Sequence, residues 1–335
     1  MPSDVAPLRV GFIGAGVFST WAIYPALHLA PLDLRAVCDI DEAKARDAAN
    51  RFGGRGRWYT DHRRMWAEED LEAVIIWMRP GARQDLVVDA LDAGYHVLIP
   101  KPPALSLEDT RALAAASDRT GRSVMVHFHR RFSLGVSKAV ELMARPSFGA
   151  LTQLFASFTS GAYDAVRGAG FADPVHAYLC DFAVHHLDLA RWLGGEVRAA
   201  SAYHDVRGAG SAVAVALQFE NGAVGNLQLT SQRVWWRNYD RIELTGQGEY
   251  IVLDGLWGYR HYTADDNTFS ENYSDERSTE LGGDGAALTE FVTSIRAGRA
   301  PRTSIQDAVR TMCLYQAIYD AYRAGHQGPL DLPQP

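Results

Sequence analysis

The sequence predicts an α/β domain on a doubly wound parallel sheet, followed by an α+β domain on a large, mainly antiparallel open sheet. Up to about residue 126, short apolar runs alternate with amphipathic stretches, as in a parallel sheet covered by helices on both faces. After that point the runs are strand-like, and Asn221-Gly222 between two of them is typical of a hairpin. Because 335 residues exceed one ordinary core, we expect domains at residues 1–126 and 127–335.

Six apolar runs carry the predicted parallel sheet: LRVGFI, LDLRAVCD, RWYT, LEAVIIWM, YHVLI and SVMVHF. Ser106, three residues before Asp109, indicates a capped helix start, and Gly121 indicates the end of that helix. Pro25 is expected to kink or divide the helix that follows the first run, because proline lacks the backbone donor. In the second domain we expect a helix near residues 178–193 and two more near 285–297 and 304–324.

The composition argues against several classes of protein. The 33 basic and 40 acidic residues give a formal charge of −7 with no basic block, which disfavours nucleic-acid binding. No apolar run approaches the roughly 18 residues that span a bilayer. The first residues lack a signal-peptide pattern, and the three cysteines are too scattered for a disulfide framework or a zinc site. We therefore expect a cytoplasmic protein with a small-molecule partner.

A glycine turn follows the first strand. The residues GAGVFS read G-x-G-x-x-S, with Ser19 in the place of the usual third glycine or alanine. A helix N-terminus at this turn offers backbone N–H groups to a pyrophosphate, and Asp39, at the end of the second strand, suits the ribose hydroxyls. The alternative is a tight turn with a helix-capping Asp39. Because the carboxylate of Asp39 would repel the 2′-phosphate of NADP, we favour NAD over NADP as the cofactor. The predicted dinucleotide contacts here are Gly14, Gly16, Val17, Phe18 and Asp39.

Three landmarks in order, the glycine turn, GYHVLIPKPPAL and CDFAVHHLDLARWLGG, resemble the Gfo/Idh/MocA oxidoreductases over nearly the whole chain. The chain departs from that pattern in three places. Pro100 replaces the Glu of E-K-P, Gln84 replaces the His that follows Pro80, and Ala183 replaces a Gly. The resemblance implies a Rossmann domain, an open-sheet domain that often mediates oligomerisation, and sugar, cyclitol or related polyol substrates. A homodimer or homotetramer is expected on that analogy.

By the same resemblance, Lys101, Asp181 and His185 match the family's catalytic lysine, aspartate and histidine. Histidine suits removal of a hydroxyl proton because its ordinary pKa lies near 6.5. A carboxylate can orient the ring, and Lys101 can hydrogen-bond the reacting oxygen. Lys101 is one of only three lysines, and we expect a cis Lys101-Pro102 bond. Pro80, Gln84 and Lys101 are further expected cofactor contacts.

The remaining candidates rest on position in the chain. Asp188 is expected to be a structural partner of Arg191 or of a backbone group, and His186 to be structural. A metal site from Asp181, His185 and Asp188 is conceivable but not expected, since zinc prefers cysteine or several histidines. Aromatic residues near 235–239 suit a sugar ring, but such clusters more often form a sheet core or a dimer interface. The substrate candidates are His127, Arg131, Tyr163, Arg167, Trp235 and Arg237, with His176 and Tyr178 as further ones.

Three functions remain open at this point. The leading one is an NAD(P)-dependent dehydrogenase or reductase acting on a sugar, cyclitol or related hydroxyl compound. The second uses a tightly held nicotinamide within one turnover, as in a redox-assisted lyase or glycosidase. The third is a dinucleotide-sensing regulator without catalysis, which the retained Lys101, Asp181 and His185 disfavour.

Overall fold

The computed structural model describes residues 5–160, 170–208, 210–232, 239–255, 257–265, 267–272 and 282–335. Its contacts divide the chain into two compact units. The first holds residues 1–129 and 283–309, and the second holds residues 130–282 and 310–335. After forming most of the second unit, the chain returns to the first unit over residues 283–309, which we call the returning segment. The predicted single division after residue 126 did not include this return.

The first unit contains the predicted six-stranded parallel sheet in the order β3-β2-β1-β4-β5-β6. Every neighbouring pair in it is parallel. The order reverses direction beside β1, and ligands of such sheets bind outside the carboxyl ends of strands at this point. The strands are β1 (Leu8–Ile13), β2 (Leu32–Cys38), β3 (Trp58–Tyr59), β4 (Ala73–Ile76), β5 (His96–Pro100) and β6 (Val124–His127).

Short polar side chains begin the helices that cover this sheet. Asp41 accepts from the N–H of Ala43 at 3.1 Å, and the predicted Ser106 cap accepts from Asp109 at 3.0 Å. Gly121 ends its helix in the left-handed region, at φ 65°, as expected. The helices of seven or more residues here are α1 (Glu42–Phe52), α2 (His62–Glu68), α3 (Gln84–Asp92) and α4 (Leu107–Thr120).

The helical segment after the glycine turn is divided, which confirms the expectation from Pro25. A π-helical turn, Ser19–Ile23, is followed by a short α-helical stretch, Tyr24–Ala26, and a 3-10 turn, Leu27–Leu29. Pro25 has no N–H, so a regular ladder of α-helical hydrogen bonds cannot run through it.

The second unit is built on a nine-stranded sheet in the order β14-β13-β12-β11-β7-β10-β9-β8-β15. Among the strand pairs of the described residues only β7–β10 is parallel, so the predicted mainly antiparallel sheet is confirmed, including the hairpin at Asn221-Gly222. Among the described residues before 283, its helices of eight or more residues are α5 (Leu134–Met143) and α6 (Val184–Gly194). The strands are β7 (Leu151–Thr159), β8 (Val197–Arg207), β9 (Gly210–Phe219), β10 (Val224–Thr230), β11 (Tyr239–Gly246), β12 (Tyr250–Asp254), β13 (Gly258–Tyr262), β14 (Thr268–Asn272) and β15 (Gly328–Pro329).

One face of this second sheet is covered and the other is more open. Buried and exposed residues alternate along β10, and α6 packs against β7 and β10. Such alternation is the pattern of an antiparallel sheet with one face on the core.

The returning segment completes the first unit. It contains α7 (Asp284–Arg296), and the last helix of the chain, α8 (Ile305–Arg323), begins at its end. The N–H of Val126 donates to the carbonyl of Thr303 at 2.8 Å, so this segment adds a short bridge to the free edge of β6. Arg296 binds both carboxylate oxygens of Glu72, at 2.5 and 3.0 Å.

None of the helices in the described ranges is both long and apolar enough to cross a membrane.

Candidate active site

The glycine turn is closed by close backbone packing. Gly14 has φ 104°, and a Cβ atom there would lie 2.4 Å from the carbonyl oxygen of Trp77, so glycine is required. A Cβ on Gly16 would meet nothing within 4 Å, which leaves this side of the turn accessible. The hydroxyl of Ser19 donates to the carbonyls of Gly14 at 3.0 Å and Gly16 at 2.9 Å. Ser19, in the position of the usual third glycine, therefore stabilises the turn through these two hydrogen bonds.

Asp39 lies beside this turn at the carboxyl end of β2. Its Oδ2 accepts from the N–H of Ala15 at 2.7 Å, and its Oδ1 accepts from the N–H of Asp41 at 2.9 Å. The following helix is capped by Asp41. Each carboxylate oxygen keeps further acceptor capacity, which ribose hydroxyls can use.

Large apolar side chains are exposed around the same turn. Val17 is 88% exposed and Ile40 is 94% exposed. Phe18 stacks on Trp77 with ring centroids 6.5 Å apart, and exposed Trp21 packs edge-on against Phe18. Contiguous exposed apolar side chains commonly mark a ligand or interaction site. This surface and the polar turn together suit a ligand with a flat ring and a phosphate group.

A buried arginine holds the turn that carries Lys101. Arg83, 1% exposed, donates from Nη1 to the carbonyl of Met78 at 2.7 Å. Its Nη2 donates to the carbonyls of Pro100 at 3.0 Å and Pro103 at 3.1 Å, and also contacts that of Pro102. The Lys101-Pro102 bond is cis, as expected.

Sequence reasoning missed Arg83, because its partners are carbonyls up to 20 residues away and no motif marks them. Pro100, the departure from E-K-P, supplies one of these carbonyls. The neighbouring cofactor candidates, Pro80 and Gln84, begin the 3-10 turn Pro80–Ala82 and α3 respectively. Both follow the carboxyl end of β4.

In the second unit, Asp181 and His185 lie on one helical run of mixed geometry. Asp181 is in a π-helical turn, Tyr178–Ala183, and His185 is in α6. The π-helical turn that holds Asp181 has a wider backbone geometry than the regular α-helix that holds His185. Single π turns inside helices are frequent at functional sites.

Asp188 is held by Arg131. Nε of Arg131 donates to Oδ2 at 2.7 Å and its Nη2 donates to Oδ1 at 2.5 Å. The hydroxyl of Thr311 also donates to Oδ1, at 3.2 Å, and the guanidinium lies 4.8 Å from the ring centre of Trp192. Asp188 is thus a structural partner, as expected, with Arg131 where the sequence suggested Arg191. The burial of Arg131 points to a structural role for this substrate candidate.

His186 belongs to a second buried network. Its Nε2 lies 3.0 Å from Oδ1 of Asp240, which also binds Arg130, and its ring stacks on Phe158 with centroids 4.4 Å apart. Burial alone would raise the pKa of Asp240, but the Arg130 charge and the His186 hydrogen bond lower this pKa to about 2. Asp240 is therefore a carboxylate at neutral pH.

The other substrate candidates lie on different elements of the fold. His127 is the last residue of β6 and is 2% exposed. Tyr178 is buried, with its hydroxyl donating to the carbonyl of Phe158 at 3.2 Å. His176 is 8% exposed, and its Nδ1 accepts from the N–H of Ala172 at 3.0 Å. The candidates Tyr163, Arg167, Trp235 and Arg237 lie outside the described residues.

Comparisons with known proteins agree with this architecture. Residues 8–128 match the model of an oxidoreductase family with an NAD-binding Rossmann fold, and residues 136–252 match the GFO/IDH/MocA C-terminal domain. The chain is similar to D-apiose dehydrogenase of Paraburkholderia graminis, with 28% identity over 96% of this chain and 90% of that protein. It is also similar to D-xylose 1-dehydrogenase (NADP(+)) 2 of Haloferax volcanii, with 24% identity over 97% and 100%.

A solved dehydrogenase structure from Chromobacterium violaceum superposes with a TM-score of 0.89, covering 96% of this chain and 97% of that one. At 20% identity this likeness concerns the fold alone. The two family matches lie in sequence order, and they cover all of the first sheet and β7 to β11 of the second. The chain belongs to the Gfo/Idh/MocA oxidoreductase family, with an NAD-binding Rossmann domain at its N-terminus.

Proposed function

We propose that this protein is an NAD(P)-dependent dehydrogenase that transfers a hydride between nicotinamide and a hydroxyl or keto carbon of a sugar, cyclitol or related polyol. The observation that carries the proposal is the glycine turn tied to Asp39 through the N–H of Ala15. This arrangement offers a helix start and a carboxylate at the carboxyl edge of a parallel sheet. The printed names of relatives, D-apiose, D-xylose and inositol dehydrogenases, support the substrate class.

In the proposed reaction, His185 takes the hydroxyl proton and Asp181 orients its ring. Lys101 hydrogen-bonds the same oxygen and stabilises negative charge that develops on it. Arg83 acts through the backbone, because it binds the carbonyls on both sides of Lys101. The bound nicotinamide would supply the hydride chemistry.

We favour NAD as the cofactor. A carboxylate at residue 39 would repel the 2′-phosphate of NADP and accept hydrogen bonds from an unmodified ribose. The xylose relative is named for NADP(+), and a solved levoglucosan dehydrogenase holds NADH, so both cofactors belong in the test.

The test is a panel of pentoses, hexoses and cyclitols with NAD and with NADP, followed by the absorbance of the reduced nicotinamide. On the best substrate, His185→Ala should lower kcat by roughly 10²- to 10⁴-fold, the usual contribution of a general base. Lys101→Ala should lower it by roughly 10²- to 10³-fold, as for removal of one oxyanion donor. The matched controls are His28→Ala and Lys138→Ala, since His28 is exposed and Lys138 pairs with Glu141 on a surface helix.

Undiminished turnover in both site variants would contradict the assigned roles. Conversion of substrate with a retained cofactor and no net absorbance change would favour the internal redox cycle over a dehydrogenase.

A further inference from the structure

Two histidines and one aspartate of the first unit converge at the end of β6. His127 ends the strand, His129 begins the turn that follows, and Asp284 is the first residue of α7. One ligand atom from each lies within 4.8 Å of the others. We call these three residues the His-His-Asp cluster. It brings together the strand end HFH and the returning segment, which the sequence separates by more than 150 residues.

His127 is the least accessible member of the cluster. Its side chain is 3% exposed, and within the described residues its Nε2 has no hydrogen-bond partner. Oδ1 of Asp284 lies 3.5 Å from this nitrogen, well beyond the usual 2.9–3.0 Å of an N–H···O bond. A simple buried hydrogen bond therefore does not account for the pair. Nε2 of His127 and Oδ1 of Asp284 are thus near each other without the short contact of a hydrogen bond.

The 3.5 Å separation matches the distance between two ligands of one metal ion. In a tetrahedral zinc site with metal–ligand bonds of about 2.0–2.1 Å, two ligand atoms lie about 3.3–3.4 Å apart. The ring of His129 stacks beside that of His127 with centroids 5.4 Å apart, and Trp77 packs edge-on at 5.0 Å. The aromatic neighbours hold the His127 ring in place.

We propose that the His-His-Asp cluster binds one divalent transition-metal ion, with Zn²⁺ as the best fit. Two imidazole nitrogens and one carboxylate oxygen are a donor set that zinc accepts, whereas Mg²⁺ and Ca²⁺ prefer oxygen donors alone. Three protein ligands leave a fourth position for water or another small oxygen ligand. The site stands at the carboxyl edge of the parallel sheet, where such folds bind ligands. No metal site is expected from the sequence alone.

Metal titration of the full-length protein tests this inference without relying on dehydrogenase activity. The chelator-treated protein is titrated with Co²⁺, whose visible spectrum reports tetrahedral coordination, and the bound Co²⁺ is then displaced with Zn²⁺. We expect one ion per chain. His129→Ala and Asp284→Asn should each weaken binding at least about tenfold, because even outer-shell changes cost about 10- to 100-fold.

His326→Ala is the matched control, since His326 is exposed and binds only a local carbonyl among the contacts described, that of Pro329. It should bind Co²⁺ as the wild type does. Circular dichroism of each variant establishes folding, and the milder His129→Gln replaces His129→Ala if that variant unfolds. Failure of the wild type to bind one ion, or equal binding by the cluster variants and the control, would overturn the proposal.

Discussion

Arg83 in the first unit and Arg131 in the second are both almost completely buried, yet they bind different kinds of group. Arg83 donates to backbone carbonyls on both sides of Lys101. Arg131 donates through two nitrogens to the carboxylate of Asp188. The hydrogen bonds of Arg83 order the turn that carries Lys101. The ion pair of Arg131 holds α6 through Asp188. Burial of an arginine therefore does not by itself distinguish a residue that supports a site from one that supports a core.

The largest expected effect comes from breaking the paired charges. Arg131→Met leaves the Asp188 carboxylate buried beside an apolar side chain. Loss of one partner of a buried ion pair costs about 3–5 kcal/mol. We expect the free energy of unfolding to fall by that amount in urea denaturation at neutral pH.

The double variant Arg131→Met/Asp188→Leu sharpens the interpretation. Replacing a buried pair by apolar residues is often neutral or even stabilising. The double variant should therefore be more stable than Arg131→Met alone. Equal losses of stability in the two variants would show that the Asp188 carboxylate without Arg131 is not the source of the cost.

A smaller effect is expected for Arg83→Met, because it leaves carbonyls without a donor instead of an unpaired charge. Each buried unsatisfied polar group costs about 1–3 kcal/mol, and water can enter to satisfy some of them. We expect a loss of about 2–3 kcal/mol. Hydrogen exchange should quicken at the amides of Ala104 and Leu105, which follow the proline turn.

Arg63→Met is the control for this change, since the Arg63 side chain is 75% exposed. Exchange at Ala104 that stays as slow in Arg83→Met as in the control would mean that the turn is ordered without Arg83.

The smallest effect is expected where the arginine is partly exposed. Hydrogen bonds from Arg296 lower the pKa of Glu72 from its ordinary 4.5 to about 2. A depressed carboxyl pKa stabilises the fold fully above pH 4.5, and this stabilisation disappears as the pH falls towards 2. After allowance for solvent screening, Glu72→Gln should cost about 1–2 kcal/mol at pH 7.

The cost of Glu72→Gln should shrink steadily between pH 4.5 and pH 2 in thermal or urea unfolding. Glu220→Gln, on an exposed hairpin, serves as the reference. A cost that did not change with pH would point to lost packing instead of the ion pair.

The limits of prediction from sequence follow from the range of the interactions. Apolar runs and local caps such as Ser106 depend on near neighbours, so both sheets and most helices could be predicted. The division at Pro25 is also a local effect. In contrast, Arg131 meets Asp188 across 57 positions, and Arg83 meets carbonyls that no side-chain pattern marks. Asp284 approaches His127 only because the returning segment packs with the first unit, and no pattern in the sequence predicts that packing.

That returning segment also has a consequence for synthesis of the chain. At the edge of β6 the N–H of Val126 donates to the carbonyl of Thr303, a residue synthesised 177 positions later. At about 5–20 residues per second, this partner leaves the ribosome roughly 10–35 seconds after the strand itself. During that interval the nascent sheet has an unprotected edge, which is a template for wrong pairing. The order of translation thus leaves this edge of β6 without its partner for longer than any strand pairing within the same sheet requires.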